Sequence, residues 1–265
     1  MMEEVSILIL AGGKSQRMGQ NKAFLELNGV SFMEHIISVL RPLQSEIYIS
    51  GSKKQYNSIG LPIIEDQPDF KGQGPLAGII SGLMTIKSDW LFVISVDAPQ
   101  IIIEQVLELY KHTKANKMVL AKDEQFVHPL IGFYHKSMLE PIKQNLEQGK
   151  LSVKHLYSNE EKTAFIPLLG EKSLKNINTP EDYNNEFMEV KINFYGELAE
   201  LIQAIDSLTI ATNTTVGEFK SILTQRCPEL DKKIYKMALN NAFITDETII
   251  ARHSKIDVFP PFAGG

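Results

Sequence analysis

The chain lacks the sequence features that are typical of secreted proteins and of membrane proteins. Cys227 is its one cysteine in 265 residues, so no disulfide can form within the chain and a reducing compartment is expected. No apolar run approaches the roughly 20 residues that a membrane span needs. The first residues are acidic and lack the basic region of a signal peptide. We therefore expect a cytoplasmic protein with no membrane partner, in which Cys227 is a small core residue.

A strong excess of charge of one sign is also absent. The 27 Lys and Arg residues face 32 Asp and Glu residues, for a net charge of −5. Because the basic residues are scattered, no nucleic-acid-binding face is expected. Hydrophobic residues make up 43% of the chain, which is enough to build the core of one large domain or two smaller ones.

Strand-like and helix-like segments alternate through residues 1–187. The apolar patterns predict strands at 5–10, 46–50, 61–65, 90–96, 118–121 and 126–134. Helices are predicted at 32–40, from Pro75 through Met84, and at 101–112. This alternation predicts an α/β domain with a Rossmann-like, doubly wound and mostly parallel sheet. Its ligand crevice should lie at the carboxyl ends of the strands.

The pattern changes near residue 187. An alternating strand begins at Met188, and further strands are predicted at 208–212, 235–240 and 256–259, with helices at 197–205 and 216–226. These elements predict a second, compact α+β domain over residues 188–265. We find no low-complexity linker, so only a few residues should join it to the first domain.

The most informative stretch is residues 8–22, L-I-L-A-G-G-K-S-Q-R-M-G-Q-N-K. It is a buried strand that leads into a glycine-rich loop with the cations Lys14, Arg17 and Lys22. Gly12 and Gly13 allow backbone N–H groups to approach a phosphate closely, and the cations would neutralise it. Neither a Walker A loop nor a dinucleotide fingerprint fits this spacing. The stretch predicts a nucleoside triphosphate site, although a tight turn with surface lysines is the simpler alternative.

Asp97 follows the predicted strand 90–96, at the sheet edge where ligands bind. A single carboxylate facing a triphosphate is a natural Mg²⁺ ligand, because Mg²⁺ takes one or two carboxylates together with phosphate oxygens and water. The alternative is an N-cap for the next helix. We favour the metal role for Asp97.

The loop motif L-A-G-G-x-S-x-R-M-G-x-x-K resembles the signature of the molybdenum cofactor guanylyltransferase family. That family usually has Asp before the final lysine, whereas this chain has Asn21. Related cytidylyltransferases tend to have L-A-A-G, so Gly12 favours guanine. The segment V-D-A-P resembles the family's C-D-x-P, whose Asp binds magnesium.

The resemblance implies a set of site residues. It assigns nucleotide binding to Leu10, Ala11, Gly12, Gly13, Lys22, Asp66, Gly74, Pro75, Leu76 and Asp97. It assigns the acceptor side to His128, Pro129, Asn176 and Asn178. Simpler interpretations are a turn at Asp66, a helix start at Gly74-Pro75 and a structural hydrogen bond for His128.

The reaction that the resemblance implies is nucleotidyl transfer. The terminal phosphate of molybdopterin, or of the molybdenum cofactor, would attack the α-phosphate of GTP, and pyrophosphate would leave. Catalysis would come from positioning and charge neutralisation by Lys22, Arg17, loop N–H groups and Mg²⁺ on Asp97.

The C-terminal sequence F-P-P-F-A-G-G ends in Gly264 and Gly265. A tail without side chains is narrow enough to enter a partner's active site, and Pro260 and Pro261 would stiffen the approach. Residues 188–265 resemble the molybdopterin synthase small subunit, a β-grasp, ubiquitin-like sulfur carrier. This implies a thiocarboxylate on Gly265, an E1-like adenylyltransferase that activates it, and the synthase large subunit as partner. Molybdenum insertase and molybdoenzymes are further candidate partners.

Two alternatives remain at the level of the sequence. One keeps the fold but changes the base or acceptor, giving a cytidylyltransferase or sugar nucleotidyltransferase. The other is a non-catalytic carrier or scaffold, which Asn21 in place of Asp would favour. A comparison of GTP with CTP turnover separates the first, and GTP binding without turnover would support the second.

Overall fold

The computed structural model describes residues 5–12, 18–158, 161–168, 174–202, 205–240 and 242–261. Within it the chain divides into two compact units. The first combines residues 1–24 with 32–177, and the second combines residues 25–31 with 178–265. None of the helices in the described ranges has both the length and the apolar character that crossing a bilayer requires.

The strands and helices follow one another along both units. In chain order the strands are β1 (Val5–Leu10), β2 (Glu26–Leu27), β3 (Val30–Ser31), β4 (Glu46–Ser50), β5 (Ile63–Ile64), β6 (Trp90–Ser95), β7 (Met118–Lys122), β8 (Val127–His135), β9 (Thr163–Pro167), β10 (Phe187–Phe194), β11 (Ser207–Ala211), β12 (Lys236–Leu239), β13 (Ala242–Phe243) and β14 (Lys255–Phe259). The α-helices are α1 (Phe32–Leu40), α2 (Lys53–Tyr56), α3 (Pro75–Thr85), α4 (Ile103–Tyr110), α5 (Leu139–Glu147), α6 (Val153–Tyr157), α7 (Pro180–Glu186), α8 (Glu197–Leu201) and α9 (Val216–Arg226).

The first unit is built on a sheet with the order β5-β4-β1-β6-β8-β7-β9. Strands β5, β4, β1 and β6 are parallel, and β8 runs antiparallel to both β6 and β7. All residues of β1 are buried, which fits a central parallel strand covered on both faces. The predicted α/β, parallel-rich sheet is confirmed, with an antiparallel insertion at β8.

Helix α3 packs closely over the carboxyl ends of the central strands. A Cβ on Gly78 would lie 2.7 Å from Ser50 Oγ and 2.8 Å from Leu10 Cδ2, so only glycine lets the helix approach this closely. The predicted start of the helix at Pro75 is confirmed. Its apolar residues join a core cluster with β1, β6 and β7.

The second unit has a sheet with the order β11-β10-β14-β12-β13. Strands β10 and β11 form an antiparallel hairpin, while β10 pairs parallel with the last strand, β14. Helix α9 runs from Val216 to Arg226 as predicted, with a capping box between Thr215 and Glu218 at its start. The order of elements is that of a small α+β, β-grasp domain.

Cys227 lies in the core of the second unit, with 4% of its surface exposed. Burial, together with the nearby Glu229 carboxylate, raises the pKa of its thiol. Both facts agree with the predicted role as a core residue.

Several elements differ from the sequence prediction. The strand predicted at 61–65 is reduced to Ile63–Ile64 at the sheet edge, because β4 is its one pairing partner among the described strands. The helix predicted at 197–205 ends at Leu201. The hairpin β2–β3 was not predicted. It belongs to the second unit, where Asn28 N–H donates to Thr209 O at 2.6 Å.

Candidate active site

The site is built at the carboxyl ends of β1 and β6, where the sequence predicts it. Ala11 follows β1 directly, and its N–H donates to Ser50 O at 3.0 Å, while Val96 N–H donates to Leu10 O at 3.0 Å. Leu10 and Ala11 are buried and Gly12 is exposed. Residues 13–17, including the predicted Gly13 and Arg17, lie outside the described residues.

Lys22 and Asp97 meet at this edge. Lys22 begins a 3-10 helix, Lys22–Phe24, and its Nζ lies 3.5 Å from Oδ2 of Asp97, which follows β6. The side chains are only 14% and 17% exposed. Residues far apart in the sequence are therefore brought together as one charged pair, next to the start of the glycine loop.

The two carboxylate oxygens of Asp97 differ in their contacts. Oδ1 is buried and has no hydrogen-bond partner among the described residues. A buried carboxylate oxygen is costly to leave without a partner, so its position suits a ligand. No group of three or more His, Cys, Asp or Glu side chains in the described ranges is arranged to hold a metal ion. One carboxylate suffices for Mg²⁺ when phosphate oxygens and water complete its coordination, and Asp97 fits that chemistry.

Asp66 and Gly74 shape the loop that leads into α3. Asp66 Oδ2 accepts a hydrogen bond from Gly72 N–H at 3.3 Å, so this carboxylate closes the loop, in line with the simpler turn interpretation. Gly74 has φ +73° and ψ −160°, a conformation essentially restricted to glycine. Gly74 and Pro75 are exposed, and Leu76 is buried. No ligand contact is needed to account for Asp66, whereas Gly74 leaves open space above the helix start.

His128 lies in the first part of β8 and is paired with an acid. The register that pairs Ile94 with Ile131 carries the start of β8 beyond the end of β6, towards the edge where Asp97 lies. His128 Nε2 is 2.6 Å from Asp123 Oδ2. This hydrogen bond, with further bonds from the N–H groups of Phe126 and Gln125, holds the pKa of Asp123 below its ordinary value. The carbonyl of the neighbouring Pro129 accepts a hydrogen bond from the Tyr134 hydroxyl.

The segment with the two asparagines is also placed by a backbone hydrogen bond. Ile177 N–H donates to Asp97 O at 2.8 Å, which brings the exposed Asn176 next to Asp97. The N–H groups of Asn178 and Thr179 both donate to Asp182 Oδ2, at 2.9 Å and 2.8 Å. The Thr179 hydroxyl accepts from Asp182 N–H at 3.1 Å and caps the start of α7.

Tyr56 is a site residue that the sequence patterns did not indicate. Its hydroxyl donates to Ala11 O at 2.8 Å and accepts from Asn21 Nδ2 at 2.9 Å. Tyr56 lies in a polar segment without a motif, so no signal in the sequence marks it.

The C-terminal tail begins from an ordered strand. Tyr195 N–H donates to Val258 O at 3.0 Å, and the rings of Tyr195 and Phe259 stack with centroids 4.7 Å apart. Pro260 and Pro261 follow. The predicted tail residues Gly264 and Gly265 lie outside the described residues.

Two family models match separate parts of the chain. Residues 7–163 match the family model described as a MobA-like NTP transferase domain, and residues 192–265 match the model of the ThiS family. A probable molybdenum cofactor guanylyltransferase from Carboxydothermus hydrogenoformans is 34% identical over 188 residues, which cover 69% of this chain and 94% of the relative. A molybdenum cofactor guanylyltransferase from Campylobacter jejuni is 30% identical over 191 residues, 72% of this chain and 99% of the relative.

Solved structures give the same fold for the first unit. Molybdopterin-guanine dinucleotide biosynthesis protein A from Archaeoglobus fulgidus matches with a TM-score of 0.58 and 21% identity, covering 67% of this chain and 94% of that one. The 2-C-methyl-D-erythritol 4-phosphate cytidylyltransferase from Thermus thermophilus matches with a TM-score of 0.53 and 15% identity, covering 68% and 95%. At these identities the likeness concerns the fold alone.

Proposed function

Because the chain belongs to the molybdenum cofactor guanylyltransferase family and ends in a ThiS family domain, we propose that it performs two steps of molybdenum cofactor synthesis. The first domain, residues 1–187, transfers GMP from GTP to molybdopterin or the molybdenum cofactor. The second domain, residues 188–265, carries sulfur for the synthesis of molybdopterin. We expect both to work in the cytoplasm.

The observation that carries the first activity is the Lys22–Asp97 pair beside the glycine loop. In the proposed reaction an oxygen of the acceptor's terminal phosphate forms a bond to the α-phosphorus of GTP. The bond between the α-phosphorus and its bridging oxygen breaks, and pyrophosphate leaves with the electron pair. Lys22, Arg17 and the loop N–H groups stabilise the negative charge that shifts onto the leaving group.

Asp97 is the residue that would hold Mg²⁺, through the oxygen that lacks a partner among the described residues. A bound Mg²⁺ would neutralise phosphate charge and orient the triphosphate. The backbone of Leu10, Ala11 and Gly12, with Gly74, Pro75 and Leu76, would line the nucleotide. Asp66 would act indirectly, by fixing the loop before Gly74.

The acceptor would lie on the side of His128, Pro129, Asn176 and Asn178. Asp123 orients the His128 ring by binding Nε2, so the other ring nitrogen is the one that can meet the acceptor. Asn176 lies beside Asp97 through the Ile177 hydrogen bond, which supports its assignment to the acceptor side of the site.

The deciding experiment is pyrophosphate release by the full-length protein with Mg²⁺ and molybdopterin, with GTP compared with CTP and Asp97→Ala as control. Release that requires GTP and is lost in Asp97→Ala supports the proposal. Release with CTP alone would keep the fold and overturn the choice of base. No release from folded protein with intact pterin would overturn the guanylyltransferase assignment and favour a carrier or scaffold.

The second activity is a group transfer at the Gly265 carboxylate. An E1-like enzyme would adenylate it with ATP, releasing pyrophosphate. A donor of sulfide (HS⁻) would then attack the acyl carbon and displace AMP, which leaves a thiocarboxylate. The synthase large subunit would accept the loaded tail. Mass spectrometry of protein from its native host should find one oxygen of Gly265 replaced by sulfur. A carboxylate alone, with a competent activating enzyme present, would contradict the carrier role.

A further inference from the structure

Tyr56 joins the two ends of the glycine loop. Its hydroxyl donates to the carbonyl oxygen of Ala11, where the loop begins, at 2.8 Å. The same oxygen accepts from Nδ2 of Asn21, where the loop ends, at 2.9 Å. The side chain is fully buried, and burial raises its pKa, so the phenol keeps its proton at neutral pH.

The orientation of the Asn21 amide follows from its other hydrogen bond. Ala23 N–H donates to Asn21 Oδ1 at 3.0 Å. Because an N–H group requires an oxygen as acceptor, the Nδ2 group must be the one that faces Tyr56. Asn21 Oδ1 also lies 3.3 Å from the Tyr56 hydroxyl, but the hydroxyl has one proton and the carbonyl oxygen of Ala11 is the closer acceptor. The two shorter hydrogen bonds therefore run from Asn21 Nδ2 to Tyr56 and from Tyr56 to Ala11 O.

Tyr56 also supports the short helix that carries Lys22. Its ring stacks on Phe24, the last residue of Lys22–Phe24, with centroids 5.9 Å apart and an interplanar angle of 26°. Asn21 precedes this helix and Phe24 ends it, so Tyr56 contacts both sides of the segment. Lys22 stands between these contacts, with its ammonium 3.5 Å from Asp97.

We propose that Asn21 and Tyr56 are positioning residues, which link the start of the glycine loop to Lys22 and hold that lysine beside Asp97 for nucleotidyl transfer. The inference rests on the proposed function of the first domain. Fixing both ends of a loop before the ligand arrives reduces the entropy that must be lost on binding and keeps a charged group in its productive place.

The same geometry favours an amide over a carboxylate at position 21. Tyr56 has one hydroxyl proton, and Ala11 O accepts it. The residue at position 21 must therefore donate to the phenol oxygen, which an amide can do and an ionised carboxylate cannot. In Asn21→Asp the Tyr56 hydroxyl can donate its proton to Ala11 O or to the carboxylate at position 21, but not to both. One of the two hydrogen bonds is therefore lost.

The test uses the full chain and three variants that break the link in different ways. Tyr56→Phe removes the hydroxyl, Asn21→Asp removes the donor, and Gly51→Ala places a Cβ 2.6 Å from the Tyr56 ring. Each should lower kcat for GTP-dependent pyrophosphate release by about 10- to 100-fold, with little change in KM. Tyr48→Phe, which removes an exposed hydroxyl bonded to Glu46, is the control and should match wild type. Unchanged kcat in the three variants would overturn the proposal.

A double variant shows whether the effect passes through Lys22. In Lys22→Ala protein, adding Tyr56→Phe should cause no further loss of kcat, because the group being positioned is already absent. If the two losses multiply, Tyr56 acts elsewhere and the proposal is wrong. Thermal unfolding of every variant separates loss of fold from loss of positioning.

A measurement that does not depend on turnover tests this proposal independently of the proposed function. Lysine acetylation followed by mass spectrometry reports how accessible each amine is, and the exposed Lys143 serves as the internal reference. Lys22 should be labelled faster in Tyr56→Phe than in wild type, even if no nucleotide is turned over. Equal labelling of Lys22 in both proteins would overturn the inference, whereas absent turnover with increased labelling would overturn only the assigned reaction.

Discussion

Lys22 and Asp97 form a mostly buried ion pair, with Nζ 3.5 Å from Oδ2. The pair connects the segments that follow two neighbouring parallel strands, β1 and β6. One oxygen of Asp97 faces the lysine, and the other has no hydrogen-bond partner among the described residues. The carboxylate is thus held in place and still able to take a ligand.

Removing the lysine should affect turnover more than binding. Lys22→Ala is expected to lower the rate of GTP-dependent pyrophosphate release by about 10²- to 10³-fold, because a cation placed where charge develops acts mainly on the transition state. Steady-state kinetics with Lys143→Ala as a surface control checks this. Equal rates in wild type and Lys22→Ala would show that Lys22 takes no part in the reaction.

Changing Asp97 should alter the requirement for Mg²⁺. Asp97→Asn keeps the shape but is a weaker ligand, so half-maximal activity should need at least about tenfold more Mg²⁺. Lys22→Ala is the matched control, because it removes the partner charge while leaving the carboxylate available. Titration of Mg²⁺ at saturating GTP measures both. The same Mg²⁺ dependence in wild type and Asp97→Asn would contradict the metal role.

The sequence predicted elements whose signals are local. Two elements have the predicted bounds, the strand Val5–Leu10 and the helix Val216–Arg226. In the sequence a nearly continuous apolar run marks the strand, and a capping box marks the start of the helix. Edge strand Ile63–Ile64 is shorter than its apolar pattern suggests, since its length depends on pairing with β4. The start of a strand is visible in the sequence, but the extent of its pairing is set by its neighbours.

The candidate site was predictable only in part. Lys22 and Asp97 stand in recognisable motifs at strand ends, so their shared edge follows from the rules for parallel sheets. Tyr56 could not be found this way, because its partners are separated from it by 35 and 45 positions. The role of Asn21 likewise becomes clear only when the phenol that it faces is known.

The Asp123–His128 contact should produce a defined dependence of stability on pH. The pKa of Asp123 is lowered in the folded protein, so its stabilisation is fully present above the unfolded value, about 3.9. It is lost as the pH falls through the lowered folded value. Wild type should therefore exceed Asp123→Asn in stability near pH 5, and the gap should close as the pH falls further into acid. Urea unfolding at several pH values measures it, and a gap that persists in acid would rule out this carboxylate as the cause.

Cys227 should be unreactive while the second unit is folded. Its thiol is buried and its pKa is raised, so both access and the thiolate fraction are low. At pH 7.5 iodoacetamide should modify it slowly in native protein and rapidly in denatured protein. Mass spectrometry of the alkylated chain provides the measurement. Rapid modification of native protein would contradict the core assignment.

Asp257 lies on the strand that leads to the C-terminal tail, and only 3% of its surface is exposed. Its Oδ1 accepts hydrogen bonds from Asn193 Nδ2 at 2.7 Å and from the Tyr195 hydroxyl at 3.2 Å. Asn193→Ala should lower the free energy of unfolding by about 1–3 kcal/mol, because it removes a donor from a buried charged acceptor.

Asn193→Asp tests the same network, because it replaces the amide with a carboxylate of almost the same shape. The carboxyl introduced at position 193 would face the Asp257 carboxylate, so its own pKa should be raised in the folded variant. A raised carboxyl pKa destabilises the fold as the pH rises above about 4 and has no such effect below it. Asn193→Asp should therefore be less stable than Asn193→Ala at pH 7 and should recover in acid, while the cost of Asn193→Ala stays nearly constant. Calorimetry of the full chain can resolve the two units if they unfold separately. If the difference between the two variants does not change with pH, the side chain at position 193 does not contact the Asp257 carboxylate.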